Sequence, residues 1–455
     1  MSLDARSDES PAVGGVEDLV RWFSQRERPR DAWKVGLEHE KLAVLAGETA
    51  PLPYDGPRSV SAVLRAFARR YGYATFEEDG DIIASQCGTL TVSIEPGGQI
   101  ELSGSPFADV HVVAAELDHH LEQSREIADE LGVAFLAAGY RPWGTPATNP
   151  WMPKRRYLVM RPFLSARGRL APDMMAMTGS GQVSYDFSSP RDMAEKLRVA
   201  LAVQPAVTAM LANAPIVDGR DSGWKSYRVK VWEEVDPARS GLLPFAFERG
   251  FLDDPYRAYV EWALDVPMVF LRRGGDYRAT GGRTFRAFLA DGLGEERATL
   301  ADWSDHLTTL FPEVRVKGVV ELRAADANDP AHTKALVAFW KGILYDAGAR
   351  AEAWELVQSL SVTERRALMR AAGQEGLSAR LPDGRTLAEL ARAAVEVSSR
   401  GLCRQHCCGQ RGEDERVWLE PLRARAESGR SPADDALEAW RRGGDAALLE
   451  RLRVA

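Results

Sequence analysis

Apolar residues recur at helical spacing in four long segments of the 455-residue chain and alternate with polar residues in several shorter ones. VEDLVRWFSQRERP, from Val16, predicts an amphipathic helix closed by Pro29. PRSVSAVLRAFARRYG (57–72) and the stretch 109–133, ending near Gly132, predict two more. A fourth, over 192–213, carries Pro205, which should kink or divide it. Strand character marks WKVGLEHEKLAVL, the alternating QVSYDFS (182–188) and EVRVKGVVELRAAD (313–326). EEDGDIIASQCGTLTVSIEP predicts two short strands around turns. Beyond about residue 350 the pattern turns helical: Ser361 with Glu364 forms a capping box, and Ser431 with Pro432 opens another helix. The strands follow no regular βαβ rhythm, and no Rossmann or Walker glycine fingerprint occurs. The expected class is α+β, with a disordered tail over 1–15, a core over 16–350 and a helical C-terminal extension over 351–455 packed on it.

Composition narrows the function. Hydrophobic residues make up 45% and charged residues 27%, enough for a substantial core. The net charge of −8 argues against a general nucleic-acid binder, which needs a basic face. No apolar run approaches the roughly 20 residues that span a bilayer. The polar, acid-containing start MSLDARSDESPAVGG resembles neither a secretory leader nor a transit peptide, so a cytoplasmic location is expected. Four cysteines give no disulfide framework. Cys403, Cys407 and Cys408 crowd beside His406, but a zinc site wants a second knuckle, and an oxidation-prone reduced loop is the simpler reading.

The unusual feature is carboxylates in apolar strands. On a strand, residues two apart share a face at about 6.6 Å between Cα atoms. Glu38 and Glu40 of GLEHEK then point one way, and Leu37, His39 and Lys41 the other. They form either an ordinary solvated face or part of a site where a divalent cation holds them together. EPGGQIELSGSP adds Glu95 and Glu101. A continuous distorted strand, or a hairpin with the three-residue loop Pro96-Gly97-Gly98, puts these two on one side. A two-residue Gly97-Gly98 hairpin puts them on opposite sides.

Positive charge comes from MPKRRYLVMRPF (152–163), with Lys154, Arg155, Arg156 and Arg161, and from SYRVKVW (226–232), with Arg228 and Lys230. VELRAAD places Glu321 and Arg323 two apart. Each basic segment taken alone is an ordinary solvated edge. Acidic strands combined with Arg-bearing strands point to phosphoryl transfer, with cations on the phosphates and arginines on an anionic substrate.

The ordered series GLEHEK, EPGGQIELSGSP, MPKRRY, QVSYDFSS, SYRVKVWEEVDPARSGLLPF, ALDVPM, FPEVRVKGVVELRAAD and FWKGILYD resembles the plant-type glutamate–cysteine ligases, which also occur in bacteria. The resemblance covers roughly 16–455. It implies a glutamine synthetase-like fold, with a curved antiparallel sheet forming a funnel flanked by helices. It implies an ATP-dependent ligase that forms γ-glutamyl phosphate and joins glutamate to the amine of cysteine, the first step of glutathione biosynthesis. A γ-glutamyl ligase with another amine acceptor is the alternative; a catalytically silent relative and a His-ligated hydrolase fit the residues less well. The resemblance also implies ATP and Mg2+ as cofactors, small-molecule substrates, no nucleic acid or membrane, and a monomer or homodimer.

Carried over motif by motif, Glu38, Glu40, Glu95 and Glu101 would hold magnesium, with Glu38, Glu40 and Arg228 catalytic. Arg156, Arg228, Gln182 and Met268 would bind substrate, and Glu321, Arg323 and Lys154 the nucleotide. No general base stands out. In ALDVPMVF, Val269 stands where plant members usually carry a tyrosine near the acceptor pocket. The cysteine pairs of the plant regulatory disulfides have no match here.

Overall fold

The computed structural model describes residues 10–410 and 412–455. Its centre is a nine-stranded antiparallel sheet built from β1 (Val35–Leu45), β2 (Ala74–Glu78), β3 (Asp81–Cys87), β4 (Leu90–Ile94), β5 (Gln99–Ser103), β6 (Val133–Leu136), β7 (Ser180–Tyr185), β8 (Val314–Val316) and β9 (Val320–Asp326). The order is β8-β9-β7-β1-β5-β4-β3-β2. β1 is long enough to serve three partners: β7 along Val35–His39, β5 along Glu38–Leu42 and β6 along Leu42–Leu45. The expected α+β class holds, with an antiparallel sheet, flanking helices and a helical C-terminal part. The chain end returns to the sheet, where the Phe135 N–H donates to the Ala455 carbonyl.

Helices α1 (Val16–Ser24), α2 (Val60–Tyr71), α3 (Val110–Leu131), α4 (Arg155–Ser165), α5 (Ala171–Met177), α6 (Pro190–Leu211) and α7 (Tyr227–Glu233) pack around it. Side-chain caps at Ser59, Asp109 and Ser189 start three of them, and a left-handed Gly132 ends α3 as expected. Pro205 does not divide α6, which runs through it almost wholly buried. Tertiary packing on every side outweighs the one lost hydrogen bond. The segment 77–96 holds the two expected strands, β3 and β4, and the last residues of β2, which begins before it. Of the expected tail, residues 1–9 lie outside the described residues, whereas the Val13 N–H donates to the Ala298 carbonyl and Ala12 bridges Thr299.

The two basic segments expected as strands are the helices α4 and α7. In the first, buried Tyr157, Met160 and Leu164 already stand at helical spacing. In the second, the apparent alternation of SYRVKVW yields to packing of Val229 and Val231 between α5 and a C-terminal helix (Val362–Glu375).

A candidate active site on the carboxylate face of the sheet

The turn Pro96-Gly97-Gly98 decides the geometry. The Glu95 N–H donates to the Gln99 carbonyl at 3.0 Å, and Ser93 pairs with Glu101. This is the three-residue hairpin. Its two glycines are needed for different reasons. Gly98 has φ +80°, a conformation that side chains disfavour, and a Cβ on Gly97 would sit 2.0 Å from the Ala176 carbonyl oxygen. Glu101 in turn pairs with Glu40, and Glu38 with Gln182. Ser93, Glu101 and Glu40 thus form one cross-strand row, with Glu95 and Glu38 two residues along on the same face. All four glutamates line one cavity of about 280 Å³.

The same cavity is lined by the cations Arg156, Arg228, Arg315, Lys317 and Arg323. Gln182 links the acids to the cations: its amide nitrogen donates to Glu40 Oε1 at 3.3 Å, and its Oε1 accepts from Arg323 at 2.6 Å. The Ser180 N–H gives Glu40 a second bond at 2.8 Å. Burial, reinforced by the charges of Glu101 and Glu95, raises Glu40 above the usual carboxylate range. Burial and Glu101 raise Glu95 likewise, and its Oε1 is buried with no hydrogen-bond partner. Crowded acids on a half-buried wall ask for a cation.

Glu321 does not line the cavity. It is fully buried beneath it and joins Arg315 at 2.7 Å, Lys317 at 2.5 Å and Arg323 at 3.1 Å. Burial alone would raise it, but the three cations hold it well below the ordinary range. Its place is that of a hub that arrays three positive side chains on the wall. Lys154 also stays behind the surface, with Nζ donating to the Ile94 carbonyl at 2.6 Å. Met268 is buried at 2% exposure and lines no part of the cavity; its carbonyl accepts from the Thr280 hydroxyl. Its apolar strand-entry segment packs into the core, which corrects its expected place at the substrate. Val269 is buried too, at 1% exposure. Sequence reasoning missed Arg315, Lys317, Trp232, Thr178 and Ser180 as lining residues. The alternation RVK, two apart on one face, was the available signal for the first two.

Arg228 is aimed from behind. Ser226, which precedes α7, donates its hydroxyl to Asp326 Oδ1 at 2.9 Å, and the Asn213 N–H donates to Asp326 Oδ2 at 2.8 Å. Arg228 itself donates to the Arg323 carbonyl at 2.8 Å. Burial pushes Asp326 up to about 6, opposed by Arg228. Only glycine fits over this carboxylate, because a Cβ on Gly139 would lie 2.2 Å from Asp326 Cγ. Gly139→Ala is therefore expected to cost about 1–3 kcal/mol of stability by overpacking. Thermal denaturation checks this, and an unchanged melting temperature would contradict it.

Among the described residues no three His, Cys, Asp or Glu side chains form a ready-made metal cage, at the carboxylate wall or around Cys403, Cys407 and Cys408. The donor set still suits magnesium: hard oxygen ligands, one of them idle at Glu95, spread along a wall so that an ion keeps positions for water and phosphate. Also among the described residues, no helix is long and apolar enough to cross a membrane.

The family model for glutamate-cysteine ligase family 2 matches residues 34–451. The chain belongs to that family. A relative from Medicago truncatula, named glutamate–cysteine ligase, chloroplastic, is 38% identical over 427 residues, spanning 93% of this chain and 82% of its own. Glutamate–cysteine ligase B, chloroplastic, of Oryza sativa subsp. japonica is 37% identical over 443 residues, spanning 96% and 87%. Among solved structures, a bifunctional glutathione synthetase from Pasteurella multocida aligns with a TM-score of 0.47 and 13% identity over 96% of this chain and 52% of its own. The expected cytoplasmic location is corrected by these relatives, whose names place them in the chloroplast.

Proposed function

We propose that the protein is an ATP-dependent ligase that joins the γ-carboxylate of L-glutamate to the amine of L-cysteine. The observation that carries this reading is the cavity itself: four glutamates on one sheet face, sharing the cavity with Arg156, Arg228, Arg315, Lys317 and Arg323, in a chain of the glutamate-cysteine ligase family. The glutamate γ-carboxylate oxygen attacks the terminal phosphorus of ATP, and the bond to ADP breaks. The cysteine nitrogen then attacks the acyl carbon, loses a proton, and inorganic phosphate leaves. Arg156 and Arg228 hold glutamate by its carboxylates, and Arg315, Lys317 and Arg323 face the phosphate chain. Glu38, Glu40, Glu95 and Glu101 would hold magnesium, which when bound neutralises charge building on the transferred phosphoryl oxygens. An acyl phosphate needs little further activation, so the side chains act mainly by positioning. Trapping with hydroxylamine tests this: γ-glutamyl hydroxamate should form with glutamate and ATP, and its absence would sink the reading.

The raised acids predict how the metal binds. Glu40 and Glu95 hold protons in the metal-free protein at pH values where ordinary glutamates do not. Magnesium must displace them, so binding should release protons and weaken as pH falls. Calorimetry in buffers of different ionisation enthalpy measures the release; zero net release would contradict the assignment. The linked stability has the opposite sign. A carboxyl raised in the fold binds more protons folded than unfolded, so the metal-free protein should gain stability as pH falls from the raised value towards the ordinary one.

A further inference from the structure

The lining of the carboxylate-face cavity ends at Arg323 in the sequence, short of the helical C-terminal part. The C-terminal helix Val362–Glu375 still reaches the cavity through α7. The Gly373 carbonyl accepts from the Lys225 N–H and from the Ser226 N–H, each at 2.9 Å. These two residues lead directly into α7, whose Arg228 and Trp232 line the cavity. Ser226 does not cap α7 with its own side chain, because its hydroxyl goes to Asp326. The start of α7 is therefore held from outside, its backbone by Gly373 and its side chain by Asp326.

Gly373 also fixes how close the two helices come. It is buried inside its helix and does not have the left-handed backbone that calls for glycine. A glycine there costs helix stability relative to alanine, so what the position needs is space. A Cβ on Gly373 would lie 2.6 Å from Val229 Cβ and 2.9 Å from each of its methyl carbons. Val229 follows Arg228 on α7 and is itself buried, so this contact sets where the first turn of α7 stands. The Arg370–Glu233 pair joins the same two helices at the exposed end, where an ion pair fixes little.

We propose that Gly373 is a positioning residue for glutamate binding: it holds both N–H groups at the start of α7, leaves room for Val229, and so sets the reach of the Arg228 guanidinium into the cavity. The C-terminal part thereby supports the substrate site without lining it. The inference rests on the ligase reading above, in which Arg228 holds a glutamate carboxylate.

Gly373→Ala separates position from stability, because alanine suits the helix and acts by pushing Val229 away. The KM for glutamate should rise about tenfold or more, with the KM for ATP within about twofold of wild type. Val229→Ala removes two of the three carbons that the new Cβ meets. Adding it to Gly373→Ala should therefore recover about threefold or more of the lost affinity for glutamate. An unchanged KM for glutamate in folded Gly373→Ala, an equal rise for ATP, or no recovery in the double variant would overturn the assignment while the wild-type protein still makes γ-glutamyl hydroxamate. If the wild-type protein makes none, the ligase reading fails, and the positioning role with it. Circular dichroism verifies folding. If Gly373→Ala does not fold, Val229→Leu, which crowds the same contact from α7, decides by the same two KM values.

Discussion

Glu101→Gln should lower turnover by at least about a thousandfold, on the order of 4 kcal/mol of transition-state stabilisation, while the protein stays folded. Glu101 is 5% exposed, lies directly across the strand pair from Glu40 and accepts from the Ser103 hydroxyl at 2.7 Å. Without a cation its charge works against Glu40 and Glu95. An isosteric amide removes that repulsion and with it a hard oxygen ligand. Steady-state turnover and the melting temperature without magnesium decide it. Wild-type-like turnover would remove Glu101 from the metal wall. Lost turnover in a variant that no longer folds would show a structural role instead.

Arg228→Lys should lower kcat/KM for glutamate by about 30- to 1,000-fold, or about 2–4 kcal/mol, although the charge is kept. Arg228 is 3% exposed, donates to the Arg323 carbonyl at 2.8 Å and stands in front of the Asp326 carboxylate. A lysine carries a point charge without the planar fork that can bond a backbone carbonyl and a substrate carboxylate together. The loss should fall mostly on the KM for glutamate, with that for ATP nearly unchanged. A loss shared equally by both substrates would place Arg228 in the phosphate-binding half of the cavity.

The carboxylate wall was legible in the sequence because strand periodicity is strict. Once Glu38 and Glu40 share a face, only the turn at Pro96-Gly97-Gly98 remained open, and its loop length had few solutions. The choice among them was not written locally. A close approach of Gly97 to the Ala176 carbonyl, from a helix eighty residues away, belongs to the tertiary structure. The same holds for SYRVKVW. Its alternation suits a strand, and the helix forms because its apolar residues pack between two other helices and Ser226 is tied to Asp326. Glu321 shows the reverse problem. Sequence spacing correctly paired it with Arg323, yet burial beneath Arg315 and Lys317 makes it a hub for cations, and burial depth leaves no mark on a seven-residue motif. Met268 failed because a motif match carries no direction: the segment is present, and its side chain turns into the core.

The most direct test of the central claim is a product assay with glutamate, cysteine, ATP and magnesium, with mass detection of the peptide and parallel measurement of ADP. γ-Glutamylcysteine should appear in step with ADP, and cysteine should be preferred over other small amino acids. ADP release without the dipeptide, or equal use of unrelated amines, would contradict the account.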